Sequence, residues 1–375
     1  MPEFHPFVME RMMSKYEQGV EYNLSESGVH PVRLGELLGD DPSHIRGLMA
    51  TDLNYPHVNG LPELRENIAA LYDGATGGNV LVTVGAAEAN YITTRTLLSP
   101  GDEIVFMIPN YMQIWGIAKN HGFSLKTFRL REETGWAPDV AELKEAVTVN
   151  TKLIAVCSPN NPTGRVLTEP EMDAIVAIAD RVGAWILADE VYSGAERLAD
   201  RQSPSFYGRY DKVLAVGSMS KAYGLPGLRI GWVVGPAGRL DEIWARHEYT
   251  TISATMLSNK LAVIALSPEV RPRLIARARN YVRKGYAVLQ GWIESHGSTL
   301  SFTAPEAGAI AFIRYHLDIN STVFMDRLRT EKSVLIVAGD HFGMDHFVRL
   351  SFGLPHDRLI PALNRIHEFV EELRR

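Results

Sequence analysis

The chain is poor in cysteine and in long apolar stretches. Its 375 residues include one cysteine, Cys157, so no disulfide can form within the chain and a reducing compartment is the expected setting. No run approaches the roughly 20 apolar residues that a membrane-spanning helix requires. The first residues lack the charged-then-apolar pattern of a signal peptide. We therefore expect a cytoplasmic protein without membrane partners.

The chain also has only a small excess of acidic over basic residues. The 38 Lys and Arg residues nearly balance the 44 Asp and Glu residues, and the net charge is −6. This balance argues against a nucleic-acid-binding surface. Histidines are scattered, and His247-Glu248 lacks the second histidine of a zinc-binding helix, so we predict no metal site. A Gly-x-Ser-x-Gly nucleophile motif is missing as well.

Short apolar runs alternate with helical segments from about residue 80 onward. The runs are nearly continuous, as expected of strands that are covered on both faces. Helices such as Glu88–Leu97 and Glu169–Val182 separate them, and Thr168 with Glu171 has the spacing of a capping box. The alternation predicts an α/β fold with a mainly parallel sheet. The predicted strands are Asn79–Val84, Glu103–Ile108, Lys152–Cys157, Ala184–Leu187, Lys212–Val216 and Ile230–Val234.

Both ends of the chain differ from this middle part. We predict that residues 1–45 form an N-terminal arm and part of a small domain, and we interpret the Met-rich helix near its start as packing. Residues 46–270 are predicted to form the large domain. Residues 271–375 are predicted to form a small α+β domain with a long first helix, weaker strands and a final helix.

Small or polar residues follow four of the predicted strands, at the edge where open α/β sheets bind ligands. Gly85-Ala86-Ala87-Glu88 opens a helix whose N–H groups and partial positive charge suit an anion. The segment Ser158–Gly164 contains a rigid Asn-Pro turn. Each of these segments alone also fits an ordinary turn.

The other two strand ends carry charged residues. Asp189 follows a buried strand, where a carboxylate needs a partner, and Tyr192 is close behind it. Lys221 follows small and hydroxyl residues, and Arg229 comes shortly after. A nearby cation and partial burial lower the pKa of a lysine and expose its nucleophilic free base. Alone, the acid fits a helix cap and the lysine a surface residue, but the four strand ends together predict an enzyme site.

These motifs, in this order, resemble class I and II aminotransferases of the aspartate aminotransferase superfamily. The segments around Tyr55, Gly60–Arg65 and Val348–Phe352 extend the likeness over nearly the whole chain. The resemblance implies fold type I, with a large, mainly parallel sheet flanked by helices and a smaller α+β domain. It also implies the cofactor pyridoxal 5′-phosphate. The motifs are Asn161-Pro162-Thr163-Gly164, Asp189-Glu190-Val191-Tyr192, Ser218-Met219-Ser220-Lys221 and Gly227-Leu228-Arg229-Ile230-Gly231.

The resemblance also implies roles for individual residues. Lys221 would carry the cofactor as a Schiff base and move a proton during the reaction, and Asp189 would pair with the pyridine nitrogen. Tyr192 and Asn161 would hydrogen-bond the phenolic oxygen of the ring. The remaining implied cofactor contacts are Ser218, Arg229, Ala86 and Ala87 at the phosphate, Tyr111 on the ring face, and Tyr55 reaching the phosphate from a partner subunit.

Substrate contacts follow from the same resemblance. Arg349 would bind the α-carboxylate through two parallel hydrogen bonds, with Asn161 beside it. Gly28 would close over the substrate through its backbone. The shared site implied by Tyr55 predicts a homodimer, and the predicted substrates are an amino acid and a 2-oxo acid.

The identity of the substrate stays open. No second arginine of the dicarboxylate-specific branch can be placed, so a preference for aspartate or glutamate is in doubt. The segment Ser25–Pro31 is similar to a subgroup that contains capreomycidine synthase, which uses the same cofactor to cyclise a hydroxylated arginine. Glu26 or His30 would then face a cationic or polar side chain; the other interpretation is a loop ordered by its own turns.

Three functions are therefore compared. The leading prediction is an aminotransferase that moves an amino group from an amino acid to a 2-oxo acid. The alternative is a lyase or cyclase that uses the same cofactor on a guanidino amino acid. A catalytically idle regulator is disfavoured, because no basic helix-turn-helix segment is visible.

Overall fold

Residues 4–375 form three β-sheets and their surrounding helices in the computed structural model. The helices of this range are α1 Val8–Tyr16, α2 Leu34–Leu38, α3 Pro42–Met49, α4 Pro62–Ala69, α5 Gly85–Leu97, α6 Gln113–His121, α7 Val140–Ala146, α8 Glu169–Val182, α9 Ala237–His247, α10 Met256–Ala265, α11 Arg271–Glu294, α12 Ser321–Lys332 and α13 His356–Leu373. The strands are β1 Tyr22–Asn23, β2 Val80–Thr83, β3 Glu103–Ile108, β4 Ser124–Arg131, β5 Ala137–Pro138, β6 Thr151–Cys157, β7 Trp185–Asp189, β8 Val213–Ser218, β9 Gly231–Val234, β10 Leu300–Phe302, β11 Ile310–Tyr315, β12 Val334–Leu335, β13 Val337–Ala338 and β14 Phe347–Ser351.

The largest sheet has the strand order β2-β9-β8-β7-β6-β3-β4-β5. The pairs β3–β4, β3–β6, β6–β7 and β7–β8 are parallel. Strand β9 is antiparallel to both of its neighbours, and β5 is antiparallel to β4. The predicted fold, an α/β structure with a mainly parallel sheet, is confirmed.

The interior of this sheet is covered on both faces, as its continuous apolar runs predicted. Alternate residues of β6 belong to two separate buried clusters. Ile154 and Val156 pack in one cluster, and Leu153 and Ala155 pack in the other. Because successive side chains of a strand point to opposite faces, each face of the sheet has its own apolar layer.

Strand β4 was missed by the sequence analysis. Its sequence, Ser124–Arg131, contains three basic residues, and only Phe128 and Leu130 are buried in it. It lies next to the short edge strand β5, so part of its surface faces solvent. A continuous apolar run is therefore not required there, and the pattern used to find the other strands does not apply.

A smaller antiparallel sheet has the order β10-β11-β14-β13. The separate pair β1–β12 is parallel and joins the N-terminal arm to the C-terminal part of the chain. The long helix α11 and the final helix α13 lie where they were predicted. The division into residues 1–45, 46–270 and 271–375 stays a prediction, and residues 1–3 lie outside the described range.

Strand register places the predicted site residues at one edge of the large sheet. Cys157 at the end of β6 lies opposite Asp189 at the end of β7. Ser218 at the end of β8 lies opposite Gly231, which also pairs with Thr83 at the end of β2. The ends of β2, β6, β7 and β8 therefore lie along one edge of the sheet, and α5 begins just after β2 at this edge.

Candidate active site

A cavity of about 330 Å³ opens at this edge, between the strand ends and helix α1. It brings together most of the residues that the sequence analysis singled out. The predicted residues that line the cavity are Ala86, Ala87, Tyr111, Asn161, Asp189, Tyr192, Ser218, Lys221, Arg229 and Arg349.

None of the helices within residues 4–375 combines the length and apolarity needed to cross a bilayer.

Asp189 is a buried carboxylate with neutral hydrogen-bond donors. Its Oδ2 accepts from Asn90 Nδ2 at 3.0 Å, and its Oδ1 accepts from the Val191 N–H at 3.3 Å. Burial raises the pKa of Asp189, and these hydrogen bonds together with the charge of Lys221 oppose the rise. Asn90 Oδ1 is buried without a hydrogen-bond partner among the described residues. The carboxylate of Asp189 and the amide oxygen of Asn90 can therefore accept a hydrogen bond from a protonated ring nitrogen.

Lys221 lies just beyond the end of β8, facing the same cavity. Burial lowers the pKa of its ammonium group; Arg349 and Arg229 lower it further, while Glu26 and Glu10 oppose the shift. A lower pKa increases the fraction of neutral amine, which is the nucleophilic form. The lysine therefore has the surroundings of a reactive amine.

The start of α5 and Arg229 lie next to each other in the cavity lining. Gly85 has φ +79°, and a Cβ added there would lie 2.5 Å from Arg229 Nη2. Glycine thus allows the guanidinium to approach the N-terminus of α5. Arg229 Nη1 donates to Ser220 Oγ at 3.4 Å, and Ser218 Oγ accepts from the Ser220 N–H at 3.0 Å. Hydroxyl groups, a guanidinium and a helix N-terminus together suit a phosphate.

Arg349 enters the cavity from β14 of the smaller sheet. Its side chain is 1% exposed, and burial lowers the pKa of its guanidinium. Nη1 donates to Asn161 Oδ1 at 2.9 Å, and Nη2 donates to the Ser25 carbonyl oxygen. Nε is buried without a hydrogen-bond partner among the described residues. A buried guanidinium with a free donor suits a carboxylate ligand.

Tyr192 and Tyr111 lie on the same cavity wall. Tyr192 is 3% exposed, and burial raises the pKa of its phenol. The hydroxyl of Tyr111 donates to Glu10 Oε1 at 2.8 Å, and its ring packs against Phe7 with centroids 4.9 Å apart. Burial raises the pKa of Tyr111, and the charge of Glu10 adds to the rise. Both phenols are therefore neutral hydrogen-bond donors at neutral pH.

Three residues discussed from the sequence do not line the cavity. Tyr55 is 80% exposed, so its predicted contact with a partner subunit stays a prediction. Gly28 packs against the backbone of Ser220 and Lys221, because a Cβ added to it would lie 3.0 Å from the Ser220 carbonyl oxygen. The ring of His30 packs against Tyr281, with centroids 5.8 Å apart. Two residues of the Ser25–Pro31 segment were candidates for facing the substrate side chain. Glu26 lines the cavity and His30 does not.

Two sets of residues line the cavity without having been predicted there from the sequence. Asn90 lies one helical turn after Ala86 on α5, and this spacing was the available signal. Glu10 and Met13 on α1 and Glu17 at its C-terminal cap have the i, i+3, i+7 spacing of one helix face, and all three line the cavity. Met13 is indeed buried, as predicted, but the same helix face also forms a wall of the cavity.

Cys157 also borders the cavity, and its thiol is kept protonated. Its Sγ donates to the Pro159 carbonyl oxygen at 3.3 Å, and burial raises the pKa of the thiol. The residue is 1% exposed within the apolar cluster around β6. Its interpretation as a core residue agrees with this packing.

Comparison with known proteins identifies the family. Residues 39–366 match the family model of class I and II aminotransferases. Capreomycidine synthase from Streptomyces vinaceus is 32% identical over 92% of this chain and 89% of its own length. Arginine–pyruvate transaminase from Pseudomonas aeruginosa is 28% identical over 97% of this chain and 93% of its own. The chain therefore belongs to the class I and II aminotransferases.

The solved structures agree with this assignment. A crystal structure of a pyridoxal-phosphate-dependent aminotransferase from Streptococcus suis superposes with a TM-score of 0.93. It is 31% identical, and the match covers 99% of both chains. The predicted family, fold and cofactor are thus confirmed: this is a pyridoxal-phosphate-dependent protein of that family.

The residues of the cavity fit this cofactor on structural grounds. Asp189 is buried with neutral donors, and the amide oxygen of Asn90 next to it has no partner in the described range. The Gly85 backbone leaves a cradle at the start of α5 that a Cβ would fill. The cavity thus offers a carboxylate for the ring nitrogen, an amine for the aldehyde and a cationic cradle for the phosphate.

Proposed function

We propose that this protein is an aminotransferase that moves an amino group from an amino acid to a 2-oxo acid. One observation carries the proposal. A single cavity contains Lys221 with a lowered pKa, the buried carboxylate of Asp189 and the buried guanidinium of Arg349. The bound cofactor supplies an electron sink, which makes the Cα–H bond of the amino acid acidic.

Lys221 is proposed to bind the cofactor and to act as the general base. Its lowered pKa favours the neutral amine, which can remove the proton from the substrate Cα. Asp189 accepts a hydrogen bond from Asn90, and its negative charge would keep a proton on the pyridine nitrogen of the bound cofactor. The neutral phenol of Tyr192 and the amide of Asn161 would hydrogen-bond the phenolic oxygen of the ring.

The other cavity residues are proposed to hold the ligands in place. Ser218, Arg229 and the backbone of Ala86 and Ala87 would bind the phosphate, and Tyr111 would cover the ring face. Arg349 would bind the substrate α-carboxylate, with its free Nε as a further donor. Because these groups are fixed by the protein before the substrate arrives, little reorganisation is needed during the reaction.

The assembly belongs to the same proposal. Tyr55 is exposed together with Met49 and Leu53 on the same stretch of chain, which supports burial of this surface in a homodimer. Tyr55 would then reach the phosphate of the partner subunit. The cytoplasmic location expected from the single cysteine is likewise proposed.

A second candidate is a lyase or cyclase that acts on a guanidino amino acid. Two observations favour it: the relative at 32% identity is named capreomycidine synthase, and Glu26 of the Ser25–Pro31 segment lines the cavity. The relative at 28% identity is named arginine–pyruvate transaminase. This name supports the aminotransferase proposal, with a guanidino amino acid as the amino donor. Both candidates need the same cofactor residues.

One experiment separates the two candidates. The holoenzyme is mixed with each of the twenty amino acids alone, and the cofactor absorption spectrum is followed together with product formation. An aminotransferase changes its spectrum once and stops until pyruvate or 2-oxoglutarate is added. A lyase or cyclase continues to form product without a 2-oxo acid, and this outcome would refute the aminotransferase.

A further inference from the structure

Three carboxylates line the cavity in addition to Asp189. Glu10 lies on α1, Glu17 directly follows that helix, and Glu26 lies in the loop that follows β1. Among residues 4–375, none of the three forms an ion pair with Lys, Arg or His within 4.0 Å. Within the same range, the one hydrogen bond between these carboxylates and another lining residue is donated by the Tyr111 hydroxyl to Glu10 Oε1, at 2.8 Å.

The proposed chemistry accounts for every other charge in the cavity. Lys221 and Asp189 interact with the cofactor ring, Arg229 with its phosphate, and Arg349 with the substrate carboxylate. Glu10, Glu17 and Glu26 have no role in this set. These three carboxylates are therefore the charged groups of the cavity lining to which the proposed chemistry assigns no ligand group.

The three carboxylates line the same cavity as Lys221 and Arg349. The charges of Glu10 and Glu26 act on Lys221, the proposed general base, and on Arg349, the residue assigned to the substrate carboxylate. All three residues line one cavity, and burial together with the charges of Glu26 and Glu10 raises the pKa of Glu17. A cation placed among them would relieve this repulsion.

Two further features point to the shape of the ligand. Arg349 is 1% exposed and its Nε lacks a partner in the described range, which marks the end of the cavity that receives a carboxylate. The buried side chains of Met9 and Met13 line the wall from which Glu10 and Glu17 project. Methionine side chains adapt well to an aliphatic chain.

We propose that the substrate is an α-amino acid whose aliphatic side chain ends in a cation, a guanidinium or an ammonium, and that Glu10, Glu17 and Glu26 bind this cation. The inference rests on the proposed function for the role of Arg349. It assigns to helix α1 the selection of the substrate.

The first test measures binding without catalysis. The holoenzyme is titrated by calorimetry with 5-guanidinopentanoate, which has a carboxylate and a guanidinium but no amino group, and with heptanoate, which has no cation. An exposed ion pair contributes up to about 1 kcal/mol, or about fivefold in Kd, so three carboxylates should favour the guanidinium ligand by more than about tenfold. The preference should shrink as ionic strength rises. Equal affinities would overturn the inference.

The second test compares arginine with citrulline, in which a neutral ureido group replaces the guanidinium. We expect kcat/KM to be higher for arginine by at least about tenfold. The variants Glu10→Gln, Glu17→Gln and Glu26→Gln should each lower the ratio of kcat/KM for arginine to kcat/KM for citrulline about fivefold. The triple variant should lose most of the preference; a triple variant that keeps it would contradict the inference.

A matched control comes from α7. Glu145 is exposed and makes no ion pair or hydrogen bond with its side chain within residues 4–375, so Glu145→Gln should leave both kcat/KM values unchanged. Circular dichroism and cofactor content show that each variant is folded and loaded.

The outcomes separate this inference from the proposed function. Transfer of amino groups from neutral and acidic donors, with no preference for cations, would overturn the inference and leave the aminotransferase in place. Charge-selective binding of 5-guanidinopentanoate, with no amino transfer from any donor, would support the inference and overturn the aminotransferase.

Discussion

Arg349 on β14 donates a hydrogen bond to the amide oxygen of Asn161 at 2.9 Å, although the two residues are 188 positions apart in the chain. Asn161 follows β6 of the large sheet, whereas Arg349 belongs to the small one. This contact therefore links the two sheets inside the cavity. It also aligns the guanidinium that we assign to the substrate carboxylate.

Replacing Arg349 by lysine should impair substrate binding while keeping the positive charge. An ammonium cannot make the two parallel hydrogen bonds of a guanidinium, and Asn161 and the Ser25 carbonyl would lose their donors. We expect kcat/KM to fall about 30-fold or more, the scale for weakening a buried charge pair. Arg327→Lys, on the exposed side of α12, serves as the control. An unchanged kcat/KM for Arg349→Lys would mean that another residue binds the carboxylate.

Lys221→Ala should remove the covalent attachment of the cofactor. After reduction with borohydride, mass spectrometry should find the cofactor on the Lys221 peptide of the wild type and on no peptide of the variant. Lys212→Ala is the comparison, because Lys212 caps the Gly183 carbonyl oxygen away from the cavity. Retention of a reduced adduct in Lys221→Ala would assign the attachment to another amine.

Gly85→Ala should weaken cofactor binding. The added Cβ would approach Arg229 Nη2 to 2.5 Å, and φ +79° is unfavourable for alanine. We expect the Kd of pyridoxal 5′-phosphate to rise by about tenfold, measured by titrating the apoprotein, since strain of this kind is worth at least about 1 kcal/mol. Gly116→Ala on α6 has free space around its Cβ and should bind normally. Equal Kd values for the two variants would refute the role of the Gly85 cradle.

Glu190 should make the stability of the protein depend on pH. Burial raises the pKa of Glu190 from 4.5 to about 7, while the Phe206 N–H and the Ser205 hydroxyl donate to its carboxylate. The folded state binds the proton of the Glu190 carboxyl more tightly than the unfolded state does, so this proton stabilises the fold. The stabilisation is complete below about pH 4.5 and is lost as the pH rises to about 7. The loss is on the order of 3 kcal/mol.

Glu190→Gln tests this dependence, because the amide keeps the acceptor oxygen and carries no charge. Urea unfolding at pH 5 and pH 8 should show that the variant gains stability relative to the wild type as the pH rises. Glu145→Gln on the surface of α7 should show no such change. A constant difference between Glu190→Gln and wild type at both pH values would contradict the prediction.

Most of the large sheet could be predicted because its signal is local. The strands that end at Cys157, Asp189 and Ser218 are buried on both faces, so each appears in the sequence as a continuous apolar run. The residue after such a run lies at the ligand-binding edge of the sheet, which is why Asp189 and Lys221 stood out. Strand β4 lacked this signal, because its polar positions face outward.

The family, the cofactor and the strand ends that carry the charged site residues could be predicted from the sequence, since they depend on motifs only a few residues long. Which distant residues contact these strand ends depends on the tertiary structure. Asn90 reaches Asp189 across 99 positions, and Arg349 reaches the Ser25 carbonyl across 324. Packing of α1 and its C-terminal cap against the cavity places Glu10 and Glu17 in the lining of the site. Such contacts depend on how separate elements pack, and no local pattern of residues encodes that packing.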